Sequence, residues 1–343
     1  MAGGQGTRFW PYSTEQKPKQ FLDIVGNESL ILQTYRRLEQ FIHRDNIFVV
    51  ADKKYLPLTM ESIPGFKRGN FIEEPCPRNT APCLILANIF LSRLDQDANV
   101  LVVPADHYIP DTDSFARQMQ DALQMADQRT IITSGIKPYL PHTGYGYIQF
   151  QRDDAVNMNG TDFFSVSQFK EKPALEIAKE YLEAGNYFWN SGMFIYNLRH
   201  FKSFLEEYAD YYFEAYQELD GLFESKPQFA EAFARVQPES IDYALMEKVK
   251  EVKMFEAGFG WNDVGSWSSV YELNKKDSHL NVNNKDNCLI DTNNSLVFST
   301  EDKPIAVIGL DNVAVIQTAN GILVAGMDEL QKVKQVNDWL KRQ

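Results

Sequence analysis

The sequence is poor in cysteine. Only Cys76, Cys83 and Cys288 occur, an odd number with no CxxC pair, which gives no basis for a disulfide framework and reads as small apolar core residues in a reducing compartment. Dense blocks of lysine or arginine are missing too: 34 basic residues stand against 47 acidic ones, for a net charge of −13. That balance speaks against a nucleic-acid or anionic-membrane surface. It leaves room for a phosphorylated small molecule, because a local group of cations can bind phosphate inside an acidic protein. No apolar run approaches the ~20 residues that cross a bilayer, and no basic region followed by an apolar stretch opens the chain. A soluble, cytoplasmic protein is expected. His43, His142, His200 and His279 show no HExxH or paired spacing, so zinc chemistry has no support.

What is present is ordinary globular material, 44% apolar and 24% charged over 343 residues, enough for a large α/β domain with a smaller appendage. NESLILQTYRRLEQFI puts Leu30, Ile31, Leu38, Phe41 and Ile42 on one helical face, with Asn27 or Ser29 as cap. IFVVA at 47–51 is a short β-branched run of the kind buried on both faces. The alternation continues through a helix at 80–94, a strand in NVLVVPADHYI, a helix at 114–126 and a strand in TIITSGI. Such β-α-β repetition predicts an α/β fold with a doubly wound, Rossmann-like sheet, whose ligands sit outside the carboxyl ends of the strands. Beyond residue 144, YGYIQF and FFSVSQF alternate as strands, and helical stretches occupy 174–184 and 198–219. After Asn281 come the short runs CLI, SLVF, IAVIGL, VAVIQT and ILVAG, then a terminal helix over 328–342. The pattern divides the chain at 1–280 and 281–343, the second part a small all-β module.

The opening MAGGQGTRFWPYSTEQKPKQF poses the sharpest question. Gly3, Gly4 and Gly6 allow close backbone approach, so successive N–H groups can converge on an anion, and Thr7, Arg8, Lys17 and Lys19 follow. Gly6-Thr7-Arg8 does not satisfy a P-loop, and Phe9 stands where a dinucleotide fingerprint needs its last glycine. A turn of this kind hangs from the end of a buried strand, yet no apolar run precedes it here. The expectation is a chain that begins late, leaving unpaired backbone groups and a hole in the core at some loss of stability, unless another segment fills the place.

GGQGTRFWPYSTEQKPKQF closely resembles the signature of sugar-1-phosphate nucleotidyltransferases, specifically of mannose-1-phosphate guanylyltransferases. EEPCPRNTAP, PADHYI, GYGYI, FKEKP, FWNSGMF, SIDYALMEK and WNDVGSW extend the likeness in family order over the first ~270 residues. The resemblance implies transfer of GMP from GTP to mannose 1-phosphate, with Mg²⁺ as cofactor held by Asp106 and Asp263. Two such carboxylates plus substrate phosphate suit that ion. By the same resemblance Arg8, Lys19, Asp106 and Asp263 are catalytic. Ala2, Gly3, Gly4, Gly6, Thr7, Arg8, Arg78, Asn79, Thr80, Pro104 and Asp106 lie by the nucleotide, and Gly146, Glu171, Lys172, Asn190 and Asp263 by the sugar phosphate. Asn79 or Thr80 could equally cap the helix they open. Glu171 and Lys172, adjacent in an extended segment, should face opposite sides. Lys17 reads as solvated and His107 as a backbone-positioning residue. The C-terminal module resembles the short left-handed β-helix of compact members, which aids homodimer formation. Some relatives carry a fused isomerase domain, which the length given does not accommodate. A related enzyme of other base or sugar specificity, or a noncatalytic nucleotide-sugar-binding homologue, remains the alternative.

Overall fold

The computed structural model describes every residue except Gln5, Asp127, Gln128, Lys341 and Gln343. Helix α1 (Leu30–Glu39), strand β1 (Val49–Asp52), helix α2 (Leu56–Ser62), strand β2 (Phe71–Glu74), helix α3 (Thr80–Ser92), strand β3 (Asn99–Val102), helix α4 (Thr112–Met125) and strand β4 (Ile131–Ile136) follow in that order. Ser29 is the N-cap residue of α1, and the helix stops at Glu39, so Phe41 and Ile42 of the expected stripe lie past its end. Then come β5 (Tyr147–Phe150), β6 (Val156–Met158), β7 (Thr161–Lys170), α5 (Leu175–Ala184), β8 (Tyr187–Asn197), α6 (Leu198–Tyr208), α7 (Asp210–Leu222), α8 (Lys226–Arg235), β9 (Val252–Glu256) and α9 (Trp267–Leu273). The helical stretch expected over 198–219 is thus two helices. Ala209 leaves helical geometry at φ −150°, ψ 60°, and Asp210 begins the second helix, where its charge favours the N-terminal dipole.

The described residues form a seven-stranded mixed sheet in the order β3-β8-β4-β9-β7-β5, with β6 added beside β7. β4 runs parallel to β9 and antiparallel to β8. Because neighbouring side chains on a strand point to opposite faces, Ile131 and Phe194 pack into one core with α3, α6, α7 and α8. Their neighbours Ile132 and Ile195 pack into another with α1 and α4. Helices cover both faces, as the β-α alternation predicts. No helix of the described residues is long and apolar enough to cross a membrane.

β1 and β2 pair in parallel as a separate two-stranded sheet. Between them and β3 lies an apolar cavity of about 400 Å³, lined among others by Val50, Ile72, Leu84, Val100 and Val102. Met1 and Ala2 close one end. The Met1 ammonium donates to the Val103 carbonyl (2.8 Å), Ala105 N–H donates to the Met1 carbonyl (2.9 Å), and Ala2 N–H donates to the Val50 carbonyl (2.9 Å). These two residues therefore bridge β1 and the segment that follows β3.

The C-terminal part comprises β10 (Val282–Asn283), β11 (Cys288–Ile290), β12 (Leu296–Ser299), β13 (Ala306–Ile308), β14 (Val313–Thr318), β15 (Gly321–Gly326) and α10 (Lys334–Leu340). β10, β12 and β14 stack in parallel on one side and β11 and β13 on another, with β15 closing antiparallel on β14. This is a β-helix-like stack. β11 to β13 and β12 to β14 repeat with a spacing of 18 residues, joined by Asn293 to Asp311 and Asn294 to Asn312 hydrogen bonds, while β10 pairs with β12 at a spacing of 14. The terminal helix is shorter than expected, since Met327–Val333 is 3-10 helical, and Lys341 of the expected span is outside the described residues.

Placing about five β-branched residues ahead of Met1 should fill the cavity, pair the facing edges of β1 and β3, and replace a buried ammonium, whose pKa burial lowers, with a neutral amide. The expected result is a rise of several degrees in Tm; an unchanged Tm counts against a strand-shaped slot.

Candidate active site

The glycine-rich opening wraps the buried head of Lys19. Gly6 sits at φ 60°, and a Cβ there would come within 2.4 Å of the Lys19 Cβ, so both backbone and space require glycine. Lys19 is only 6% exposed. Its Nζ lies 2.9 Å from Asp106 Oδ2 and donates to the Asp263 carbonyl at 2.6 Å. Burial alone would raise the Asp106 carboxyl, but the Lys19 ammonium, with His107, holds it below the usual range. The alternative of a solvated loop lysine at position 19 does not hold. Arg8 is exposed and forms no ion pair with a described residue.

Two cavities meet at this point. One, of about 490 Å³, is lined by Gly6, Thr7, Arg8, Lys19, Asp106, His107, Asp263 and Gly265, and also by Lys334, Asn337 and Asp338 from the C-terminal helix. The other, of about 200 Å³, is lined by Thr80, Pro104, Gly146, Glu171, Asn190, Asp242 and Trp261 among others. His107 and Asp263 line both. A Cβ at Gly146 would approach Glu171 Oε2 to 2.5 Å, so a side chain there would displace the Glu171 carboxylate.

The Asn190 Oδ1 accepts from the Thr133 hydroxyl at 3.0 Å and from Gly192 N–H at 3.2 Å, and its Nδ2 donates to Asp242 Oδ1 at 3.0 Å. Asp242 opens a five-residue π-helical turn, a form frequent at functional sites. Burial, and then the nearby Glu171 carboxylate, push its pKa up to about 6. Sequence reasoning quoted SIDYALMEK without singling out this aspartate, although a carboxylate between Ile and Tyr was the available signal. Tyr145, also passed over, donates from its hydroxyl to Asp263 Oδ1 at 2.8 Å and stacks on His142 at 3.9 Å. Burial, then the Asp263 charge, hold that phenol well above its usual pKa. His107 accepts from the Trp261 indole N–H at 3.1 Å. Burial pulls its pKa down to about 4, so the ring is neutral with its proton on Nε2.

Not every expected residue joins these cavities. Gly3, Gly4 and Arg78 line neither, and Ala2 is buried against Val50. Asn79 caps α3 by accepting from Thr80 N–H at 2.8 Å, while Thr80 Oγ1 accepts from Ile241 N–H at 2.8 Å. Thr80 and Pro104, expected beside the nucleotide, line the cavity of Glu171 and Asn190 instead. Glu171 and Lys172 do not face opposite sides. β7 ends at Lys170, Lys172 turns to φ 46°, and its ammonium folds back onto the Glu171 carboxylate.

This architecture has known counterparts. The nucleotidyl transferase family model matches residues 1–279, and a model described as a MannoseP isomerase/GMP-like beta-helix domain matches 285–340. The chain belongs to the nucleotidyl transferase family. A mannose-1-phosphate guanylyltransferase of Salmonella muenchen is 37% identical over 99% of this chain and 72% of its own length. One of Escherichia coli is 34% identical over 98% of this chain and 74% of its own length. A solved structure from Thermus thermophilus, named a mannose-1-phosphate geranyltransferase, superposes with a TM-score of 0.87 at 27% identity, covering 99% of this chain and 98% of that one. As a nucleotidyl transferase the chain is an enzyme, and the fold expectation stands, C-terminal module included.

The donor set suits a hard divalent cation. Asp106 and Asp263 place carboxylate groups on one cavity, and no group of three or more His, Cys, Asp or Glu among the described residues forms a metal cage by itself. An ion held by two carboxylates that completes its shell with substrate phosphate fits that arrangement.

Because the folded-state pKa of Asp242 lies above the ordinary carboxylate value, its proton is bound more tightly in the folded state. Stability from this source is greatest below about pH 4 and falls as pH rises toward about 6. Asp242→Asn is expected to raise Tm above pH 6 and to lose that advantage toward pH 4; a Tm difference independent of pH in thermal melts contradicts the assignment.

Proposed function

We propose that the chain transfers GMP from GTP to α-D-mannose 1-phosphate, giving GDP-mannose and pyrophosphate. The observation that carries this reading is the junction of the two cavities at His107 and Asp263. A sugar phosphate seated by Glu171, Asn190 and Asp242 would present its phosphate across that junction to a triphosphate lying along Arg8 and Lys19. One phosphate oxygen then forms a bond to the α-phosphorus. The bond to the bridging oxygen of the β-phosphate breaks, and its electron pair leaves on pyrophosphate. No side-chain nucleophile is needed, so positioning and charge neutralisation carry the acceleration, with positioning alone worth ~7 to 11 kcal/mol.

The chain's own groups have distinct parts in this. Lys19, fixed by Asp106 and the Asp263 carbonyl, needs no reorganisation to meet charge gathering on the leaving pyrophosphate. Arg8 and the backbone of Gly6 and Thr7 extend that anion site, while Thr80 and Pro104 border the sugar side. Gly146 admits the hexose close to the backbone, while Glu171 and Asn190 offer acceptors and a donor to its hydroxyls. Lys172 reaches the sugar phosphate once released from Glu171. Asp106 and Asp263 would hold Mg²⁺, which when bound supplies positive charge shared between the reacting phosphates. Tyr145 orients the Asp263 carboxylate.

The division at 1–280 and 281–343 separates the catalytic part from the β-helix-like part. A homodimer built on the outer face of the latter is part of the proposal. Ile290 and Ile308 lie in register there and are 47% and 61% exposed, and sedimentation of the intact chain checks it. A cytoplasmic location is part of the same proposal.

Pyrophosphate release measured with each of the four triphosphates against mannose 1-phosphate and glucose 1-phosphate tests the specificity, and preference for any pair other than GTP with mannose 1-phosphate defeats it. Asp106→Asn and Asp263→Asn are expected to abolish turnover with circular dichroism unchanged. Lys19→Ala should lower kcat/KM by about a hundredfold or more and, by leaving Asp106 buried without its partner, lower Tm as well.

A further inference from the structure

The larger cavity has a wall that comes from the far end of the chain. Helix α10 is fastened over the glycine-rich loop: the Asn337 side-chain amide donates to the Thr7 carbonyl at 2.5 Å, across 330 residues of sequence. Just before it, Gln331 donates to the Ser266 hydroxyl at 3.2 Å. Leu330 and Val333 are buried in one core with Phe9, Val264 and Trp267. The backbone at Lys334 is therefore held by the residue preceding it and by the one three positions on. From that fixed base Lys334 lines the cavity beside Thr7 and Arg8.

The charges around the cavity leave this lysine without a partner. Lys19 is committed to Asp106, and Asp263 accepts from Tyr145. Lys334 and Asp338 are four residues apart on one helical face and both line the cavity, yet they form no ion pair, nor does Lys334 form one with any other described residue. Among the described residues, Arg8 and Lys334 are thus the cations lining this cavity that have no ion-pair partner. The terminal phosphates of a nucleoside triphosphate carry several negative charges, which Lys19, already paired with Asp106, and Arg8 meet only in part. Lys334 is exposed, and a cation at ordinary contact distance from those phosphates is favourable in proportion to the charge it meets.

We propose that Lys334 is a substrate-binding residue for the β- and γ-phosphates of the nucleotide, and hence for pyrophosphate, supplied by the C-terminal module. The module then completes the phosphate site as well as packing against the catalytic part. This rests on the reading of the larger cavity as the triphosphate site.

The test compares Lys334→Ala, Lys334→Arg and Lys334→Glu with the unaltered chain. Lys332→Ala serves as control, because Lys332 is an exposed lysine of the same module that pairs with Glu329 and lines neither cavity of the site. Lys334→Ala is expected to raise KM for GTP, and the calorimetric Kd for pyrophosphate, by about five- to tenfold. KM for mannose 1-phosphate, the Tm and the Lys332→Ala values should stay unchanged. Lys334→Arg should restore most of the affinity, and Lys334→Glu should lose more than alanine does. Added salt should narrow the gap between the unaltered chain and Lys334→Ala. An unchanged KM for GTP in both Lys334→Ala and Lys334→Glu overturns the assignment, as does an equal rise in KM for mannose 1-phosphate. Failure of the unaltered chain to bind pyrophosphate or turn over GTP overturns the underlying reading and this inference together, and so is told apart from failure of Lys334 alone.

Discussion

The buried ammonium of Lys19 is the constraint around which the site is arranged. A charge this far from water is tolerated only with close compensation, and Asp106 Oδ2 and the Asp263 carbonyl provide it. Those two partners arrive from the end of β3 and from the segment before α9, so one side chain ties three distant parts of the chain. It also dictates the turn above it, since nothing larger than glycine fits at position 6 against the lysine stem. The same cluster that would receive a polyanion is thereby fixed before any ligand arrives, which is the condition for electrostatic stabilisation without reorganisation.

A second dependence follows from the way the two parts of the chain share a core. Phe9, Leu22, Val264 and Trp267 pack with Leu296, Phe298, Ile316 and Leu330 in one cluster. Polar contacts reinforce it: Thr318 and Asn320 both donate to the Pro11 carbonyl, at 3.0 and 3.2 Å, and Trp267 donates to the Trp10 carbonyl at 3.1 Å. The glycine-rich loop is therefore clamped from below by Lys19 and from the side by the β-helix-like stack. Loss of packing in that stack would be felt at the larger cavity although none of its described strands lines it.

Much of the fold was legible because the residues concerned repeat with the period of their element. Val49–Asp52 and Ile131–Ile136 read as strands from β-branched runs, and α4 from its amphipathic spacing. The break at Ala209 was not legible, because nothing in LEEYADYYFEA interrupts a helical pattern and tertiary packing decides where the chain turns. The spacing of 18 residues between coils was present, with Asp291–Ser299 echoed by Gly309–Gln317, but short runs separated by Asn and Gly hide it unless sought. In the site, Lys19, Asp106 and Asp263 were visible through their motifs. Asp242 and Tyr145 were not, since an aspartate or a tyrosine gains meaning only from what it faces: Asn190 and Glu171 in one case, the Asp263 carboxylate in the other.

The sequence by itself determined the order of elements, the glycine turn with its cations, and the two carboxylates, because each depends on residue type and local spacing. Tertiary structure alone decided that Glu171 and Lys172 pair rather than diverge, since a positive φ at one residue overrides strand alternation. It decided that two cavities meet at His107 and Asp263. It also brought Lys334 and Asn337 to the loop at Thr7, because no periodicity records a contact between residues so far apart, and only the packing of the last helix against the first turn creates it.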